Sequence, residues 1–205
     1  MLKAKPLFVS ILCLLCLSSI TAVSTAKSQV SSSSISINAD GSVEPSTAPI
    51  EVIGSVYTLT GNITGSVLVH RSNVVIDGAG YALQGDGGTG IDLTNNLTSY
   101  PSPNEICNVT IENLNILNFN YSINGDGSSY NTFYHDYIGS TTKNDENEVL
   151  VYWNRGGYNI TQCTVAGTIG VELSNGNSIT ENNLSGMLLQ LVGNETIDKT
   201  TGVIT

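Results

Sequence analysis

The sequence predicts an all-β chain wound as a single-stranded right-handed parallel β-helix, a solenoid. Three observations carry that expectation. One Asn-headed phrase is written five times, from Asn73 (N-V-V-I-D-G-A-G-Y-A-L-Q-G), Asn108 (N-V-T-I-E-N-L-N-I), Asn131 (N-T-F-Y-H-D-Y-I), Asn159 (N-I-T-Q-C-T-V) and Asn177 (N-S-I-T-E-N-N-L). The copies align on one apolar position (Ile76, Ile111, Phe133, Ile160, Ile179) and on a second (Tyr81, Ile116, Ile138, Val165, Leu184). From residue 50 onward no stretch keeps a helical period long enough to make a helix.

Each element then finds a place. Residues 51–60 and 62–70 alternate apolar and polar side chains and read as strands, with turns at Gly61 and Gly65. In each repeat the two aligned apolar positions mark two short strands. A third apolar pair follows in residues 90–93 (Ile91, Leu93), 121–123 (Ile123) and 170–173 (Val171, Leu173). The first aligned position recurs after 35, 22, 27 and 19 residues, and the longest gaps hold the polar insertions 94–105 and 140–148. A unit of three short strands has nothing of its own to bury against. Stacking the units solves this, with each strand about 4.8 Å from its counterpart in the next repeat, and right-handed connections are the expected hand. The domain so defined is 50–205.

At the bend between the two strands stand Asn113, Asp136 and Asn182, whose short side chains tolerate unusual backbone angles and bond main chain. Stacked amides are expected to bond one another there, with Gly78 and Gly80 replacing them in the first copy and Cys163 interrupting the ladder. The sequence stops soon after residues 193–197, which look like the opening of another repeat, so an open or truncated C-terminal repeat is expected. The edge of a last repeat exposes backbone donors and acceptors and invites self-association with a second copy.

Residues 1–26 have the form of a signal peptide. Lys3 and Lys5 precede an apolar run at 7–20, and Ser24 and Ala26 suit a cleavage site. The run is shorter than the roughly 20 residues of a membrane span, so the mature chain is expected to have none and to be secreted or held at the cell surface. Residues 27–49, rich in Ser and Pro, read as a leader or linker to which residues 35–37 could add a strand. Beyond residue 26 only Lys27, Arg71, Lys143, Arg155 and Lys199 oppose all 17 acids. Such a chain repels phosphate backbones, so nucleic acid is not an expected partner. Cys107 and Cys163 hold different positions in the repeat; export permits a disulfide between them, and a buried thiol at Cys163 is the alternative.

The phrase V-I-D-G-A-G-Y-A-L-Q-G at 75–85, preceded by Y-T-L-T-G-N-I at 57–63, resembles secreted right-handed parallel β-helix proteins of archaea and bacteria, the NosD-like members of the pectin-lyase-like superfamily. The resemblance covers roughly residues 35–197. It implies an exported β-helix, in a superfamily that holds pectate lyases, glycosidases, adhesins and a periplasmic copper-site assembly protein.

Sites have to be argued from residues. Carbohydrate cleavage on such a scaffold needs clustered acids with a base. Asp77, Glu112, Asp136 and Glu181 fall at similar places in successive repeats and could form an acidic stripe, with His135, Arg71 or Arg155 to assist. No lyase or polygalacturonase motif accompanies them, so no catalytic residue is assigned; Asp136, His135 and Arg155 are the alternatives. His70, His135, Cys107, Cys163 and Met187 are scattered without ligand spacing, and no metal site or cofactor is assigned. Residues 85–88 and 124–127 set oxygen donors on tight turns and leave a structural calcium open. Aromatic residues are the better signal. Tyr134, Tyr137, Tyr152 and Trp153, with Tyr158 near them, suit the apolar face of a sugar ring. Seven N-x-[ST] sequons occur. Asn62, Asn96, Asn120, Asn183 and Asn194 are the glycosylation candidates, while Asn108 and Asn159 belong to the repeated phrase. The expected function is an exported surface module that binds an extracellular glycan or a surface protein. A polysaccharide lyase or glycosidase, and a copper-site assembly protein, are the alternatives.

Overall fold

The computed structural model describes residues 34–94, 104–139, 148–152, 156–172, 175–189, 196–198 and 200–204. Among them there are 22 strands and no helix, hence no helix long and apolar enough to cross a membrane. The strands form two parallel-rich sheets, an arrangement compatible with a β-solenoid.

The repeated phrase explains the sheets. Its first apolar position alternates with polar neighbours, so one side chain points in and the next points out. In register, Tyr57, Ile76, Ile111, Phe133, Ile160, Ile179 and Ile197 stack in one column. This eight-stranded sheet ends at Ile50–Ile53, which pairs antiparallel with Val56–Leu59. The second apolar position makes a second column: Ile63, Leu83, Ile116, Ile138, Val165 and Leu184. A third column holds Ile35, Val67, Ile91, Ile123, Val149, Ile169 and Leu188. The second and third columns join at Asn183–Leu189, one seven-residue strand where earlier repeats bend, and together they make the fourteen-stranded sheet. From Ile35 to Leu184 the three inward columns form one continuous buried core.

Two alignments of the sequence need correction. In the first repeat the second inward residue is Leu83, not Tyr81, because the bend at 78–80 is longer. Ala79 and Gly80 both take positive φ there (49° and 77°), and Tyr81 is only partly buried against the core. A Cβ on Gly78 would stand 2.5 Å from the carbonyl oxygen of Asn113, so glycine lets the neighbouring repeat close in. In the fourth repeat the third strand begins earlier than expected, at Thr168–Glu172, with Ile169 buried inward. Its partner in the third repeat is Glu148–Tyr152, which starts inside the stretch read as an insertion. Within the leader region Ile35 and Ile37 are fully buried core residues, on a strand parallel to Val67–Val69. Val43–Glu44 then pairs with it antiparallel.

The bends keep one backbone feature from repeat to repeat. Before the second column the left-handed residue is Gly80, Asn113, His135, Gln162 and Glu181, with φ from 55° to 77°. Before the first column it is Asn73, Asn108, Tyr130, Gly157 and Gly176, with φ from 56° to 76°. The strain of left-handed backbone on a side-chain-bearing residue, about 1–2 kcal/mol, is therefore accepted in column after column because the stacking holds the chain there.

The repeated Asn does not keep one place. Asn73 and Asn108 sit in the left-handed position, and Asn108 Nδ2 donates to Asn73 Oδ1 at 2.9 Å. Asn131 and Asn177 are buried one residue later, while Asn159 faces outward in its strand. Asn131 Oδ1 accepts from Val109 N and Asn177 Oδ1 from Tyr158 N. At the other bend Asn113 Nδ2 donates to Asp77 Oδ1, whereas the buried Asp136 and Asn182 bond backbone instead of continuing a ladder. Asp136 Oδ1 accepts from Leu114 N at 3.0 Å and Asn182 Oδ1 from Cys163 N at 2.9 Å. In each case the polar side chain of one repeat reaches the main chain of the repeat before it.

Candidate functional site

The third repeat differs from the others on its outer surface. Its strand Thr132–Tyr134 points Phe133 inward and so turns Tyr134 outward. His135 follows in the left-handed position, exposed, and Asp136 turns in. In Tyr137–Gly139 the inward residue is Ile138, which leaves Tyr137 outward and 41 % exposed. Three ring-bearing side chains therefore face solvent around one bend. The rings of Tyr134 and His135 stack, with centroids 4.5 Å apart and planes within 17°. Tyr137 lies along its own strand, so that a Cβ on Gly139 would stand 2.9 Å from Cε1 of the ring. That glycine leaves the ring the room it occupies.

Polar groups surround these rings by register. Tyr134 stands between Glu112 on one side and Thr161 on the other, and Asp77 and Thr180 continue that outward column. Tyr137 stands between Asn115 and Thr164. An aromatic platform edged by hydroxyl, amide and carboxylate groups can stack on the apolar face of a sugar and bond its hydroxyls. A further exposed ring lies at the other bend of this repeat. Tyr130 is 56 % exposed, and its ring occupies the space that a Cβ on Gly157 would enter. Sequence reasoning missed it, although Tyr130 is the one large residue in its left-handed column.

The acids do not make a stripe. Asp77 and Glu112 are partners across adjacent strands, but the next position in their column is Tyr134. Asp136 lies inside, 2 % exposed, and Glu181 sits at a bend apex where Oε2 accepts from Gln162 Nε2. Asp77 Oδ1 takes bonds from Ala79 N and Asn113 Nδ2, a structural use. His135 and Asp136, adjacent in sequence, thus face opposite ways. Arg71 is not beside these acids. Its Nη1 donates to Tyr57 Oη, which itself donates to the carbonyl of Gly41. Hydrogen bonds from the Ser42 hydroxyl and amide hold the nearby Asp40 carboxyl below its ordinary range, with a smaller pull from Arg71.

Tyr158 is core, not surface. It packs edge-on against Phe133 with centroids 5.6 Å apart. Its hydroxyl lies within hydrogen-bonding distance of Gly125 O and Ser128 Oγ and accepts from Asn131 Nδ2. Burial pushes its phenol well above the usual range. Cys107 and Cys163 are both free thiols. Cys163 is buried, its Sγ donates to Thr161 O, and burial above all raises it to about 12. Among the described residues no three His, Cys, Asp or Glu side chains converge as metal ligands. Of the loops weighed for calcium, the one at 124–127 closes on itself, with Asn124 Oδ1 accepting from Asp126 N; burial raises the Asp126 carboxyl.

Of the glycosylation candidates, Asn120 and Asn183 are exposed, and Asn62 Oδ1 accepts from Ala82 N. Tyr152 ends the strand Glu148–Tyr152 opposite Glu172. Trp153, Arg155, Asn96, Asn194 and the whole of residues 1–26 lie outside the described residues. No family model, curated protein or solved structure matches this chain.

Proposed function

We propose that this chain is an exported glycan-binding module built on a right-handed parallel β-helix, akin to the secreted NosD-like and pectin-lyase-like proteins its phrases resemble, and that it has no catalytic activity alone. One observation carries the reading: Tyr134, His135 and Tyr137 gather on the outside of a single bend, with one ring pair stacked and one ring close against Gly139. Rings held by a stacked scaffold lose little freedom on binding, which favours affinity. Residues 1–26, with their basic start and short apolar run, support export. The opposed directions of His135 and Asp136 speak against an acid–base pair at the same bend.

An array of soluble and immobilised polysaccharides tests this, with wild type and a Tyr134→Ala/Tyr137→Ala double variant applied side by side. Retention of wild type on at least one glycan, weakened about tenfold or more in the variant, is expected; two lost stacking contacts near 1 kcal/mol each account for that factor. Equal retention of both, or of neither, overturns the reading. Release of unsaturated or reducing ends from any polysaccharide would favour a lyase or glycosidase instead.

A further inference from the structure

Asp136 and Asn182 hold the same place in repeats three and five, and only one of them is satisfied. Asn182 makes two bonds to the repeat before it: Oδ1 accepts from Cys163 N, and Nδ2 donates to Ile160 O at 2.8 Å. Asp136 makes the first of these, from Leu114 N to Oδ1. Its Oδ2 is buried with no hydrogen-bonding partner. Ile111 occupies in repeat two the position that Ile160 occupies in repeat four, both being partners of Phe133 in the ladder. By that equivalence the carbonyl of Ile111 is the acceptor expected opposite Asp136 Oδ2. A carbonyl oxygen only accepts, and so does an ionised carboxylate. Two acceptors facing each other in a buried bend need a proton between them, and Asn182 shows the place where its own N–H supplies one.

We infer that Asp136 keeps its proton in the folded chain and donates it to the carbonyl oxygen of Ile111, which makes the bend of repeat three a pH-sensitive joint. The surroundings agree. Burial drives the Asp136 carboxyl well above its ordinary range. The bond from the Leu114 amide opposes that rise, with a smaller pull from the Tyr134 backbone, which lies outside hydrogen-bonding geometry, and the charge of Glu112 adds to it. From the next repeat the buried Cys163 faces it as a neutral thiol. In its own bend His135 and Tyr137 are exposed and Tyr134 faces outward, so none of the three brings a compensating cation inside. The sign follows from linkage. The folded state holds a proton that the unfolded state releases above about pH 3.9. The stabilisation is complete below that value and is lost as pH rises through the folded-state pKa, roughly tenfold in the folding constant per pH unit for one proton. Acid tightens this joint and alkali loosens it.

Two measurements decide it. The infrared spectrum of the wild type at neutral pH is expected to retain the carbonyl stretch of a protonated carboxylic acid, and Asp136→Asn to lack it. Denaturant unfolding of both proteins from pH 4 to 8 is expected to show Asp136→Asn gaining on wild type as pH rises, because the amide supplies a permanent N–H. Absence of the protonated-acid band from the wild type overturns the inference, and so does a stability gap that stays constant with pH. The infrared arm needs only the wild type, so a variant that failed to fold would not rescue the idea.

Discussion

The bend of repeat three and the bend of repeat five have the same backbone and almost nothing else in common. Each runs from a first-column strand through one left-handed residue into the second column, with φ of 57° at His135 and 58° at Glu181. Inside, one holds an acid with an unmatched oxygen and the other an amide with both ends matched. Outside, Tyr134, His135 and Tyr137 stand where repeat five carries Thr180, Glu181 and Asn183. The stacking columns therefore set the chain path, and each repeat is left to choose what it displays. A site on such a scaffold is a local departure from the repeat rather than a feature of it.

The largest expected effects test what the two bends share. Phe133→Ala and Ile179→Ala remove the inward anchor of each repeat, both fully buried. Losses of about 3–5 kcal/mol and 2–5 kcal/mol are expected in denaturant unfolding. A loss below 1 kcal/mol at either would mean that the columns do not carry the fold. Next comes the inner difference. Asn182→Ala should cost about 1–3 kcal/mol, since Cys163 N loses a buried partner. Asn182→Asp should import the behaviour inferred for Asp136. Only the neutral acid can both accept from Cys163 N and donate to Ile160 O, so the folded-state pKa rises and stability falls as pH climbs above about 4. A pH-independent Asn182→Asp would break the equivalence of the two bends. The smallest effect concerns the left-handed residue. Glu181→Gly relieves positive φ and should stabilise by up to about 1 kcal/mol, partly offset by chain entropy. His135→Gly should gain less, because it also gives up the stack on Tyr134. Thermal melts of the two variants would show the order.

The inward columns were legible in the sequence because burial imposes a period that survives every change of residue. Ile76, Ile111, Phe133, Ile160 and Ile179 align by eye, and the ladder keeps them in register. The Asn that heads each phrase was less informative. It serves a left-handed position, a buried bond to backbone or an outward strand position, since its side chain suits all three. Tyr81 and Leu83 show a second limit, for two extra bend residues shift the spacing without changing the pattern of residue types. At the site, Tyr134 and Tyr137 followed from alternation around Phe133 and Ile138. Tyr158, similar in composition, is buried because it stands one residue before the outward Asn159, in the column of Val109 and Asn131. The acids failed as a group for the same reason. Glu112 is the ladder partner of Tyr134 and faces outward, whereas Asp136 lies two positions further on, past the left-handed residue, level with buried Leu114.

Calorimetric titration with the most strongly retained polysaccharide tests most directly whether function resides in the third repeat. Wild type, Tyr134→Ala/Tyr137→Ala and the matched fifth-repeat control Thr180→Ala/Asn183→Ala would be compared at equal fold integrity. Binding is expected to fall about tenfold or more in the first variant and to stay within a factor of about two in the control. Equal losses in both, or a loss in the control alone, would contradict a site at the aromatic bend.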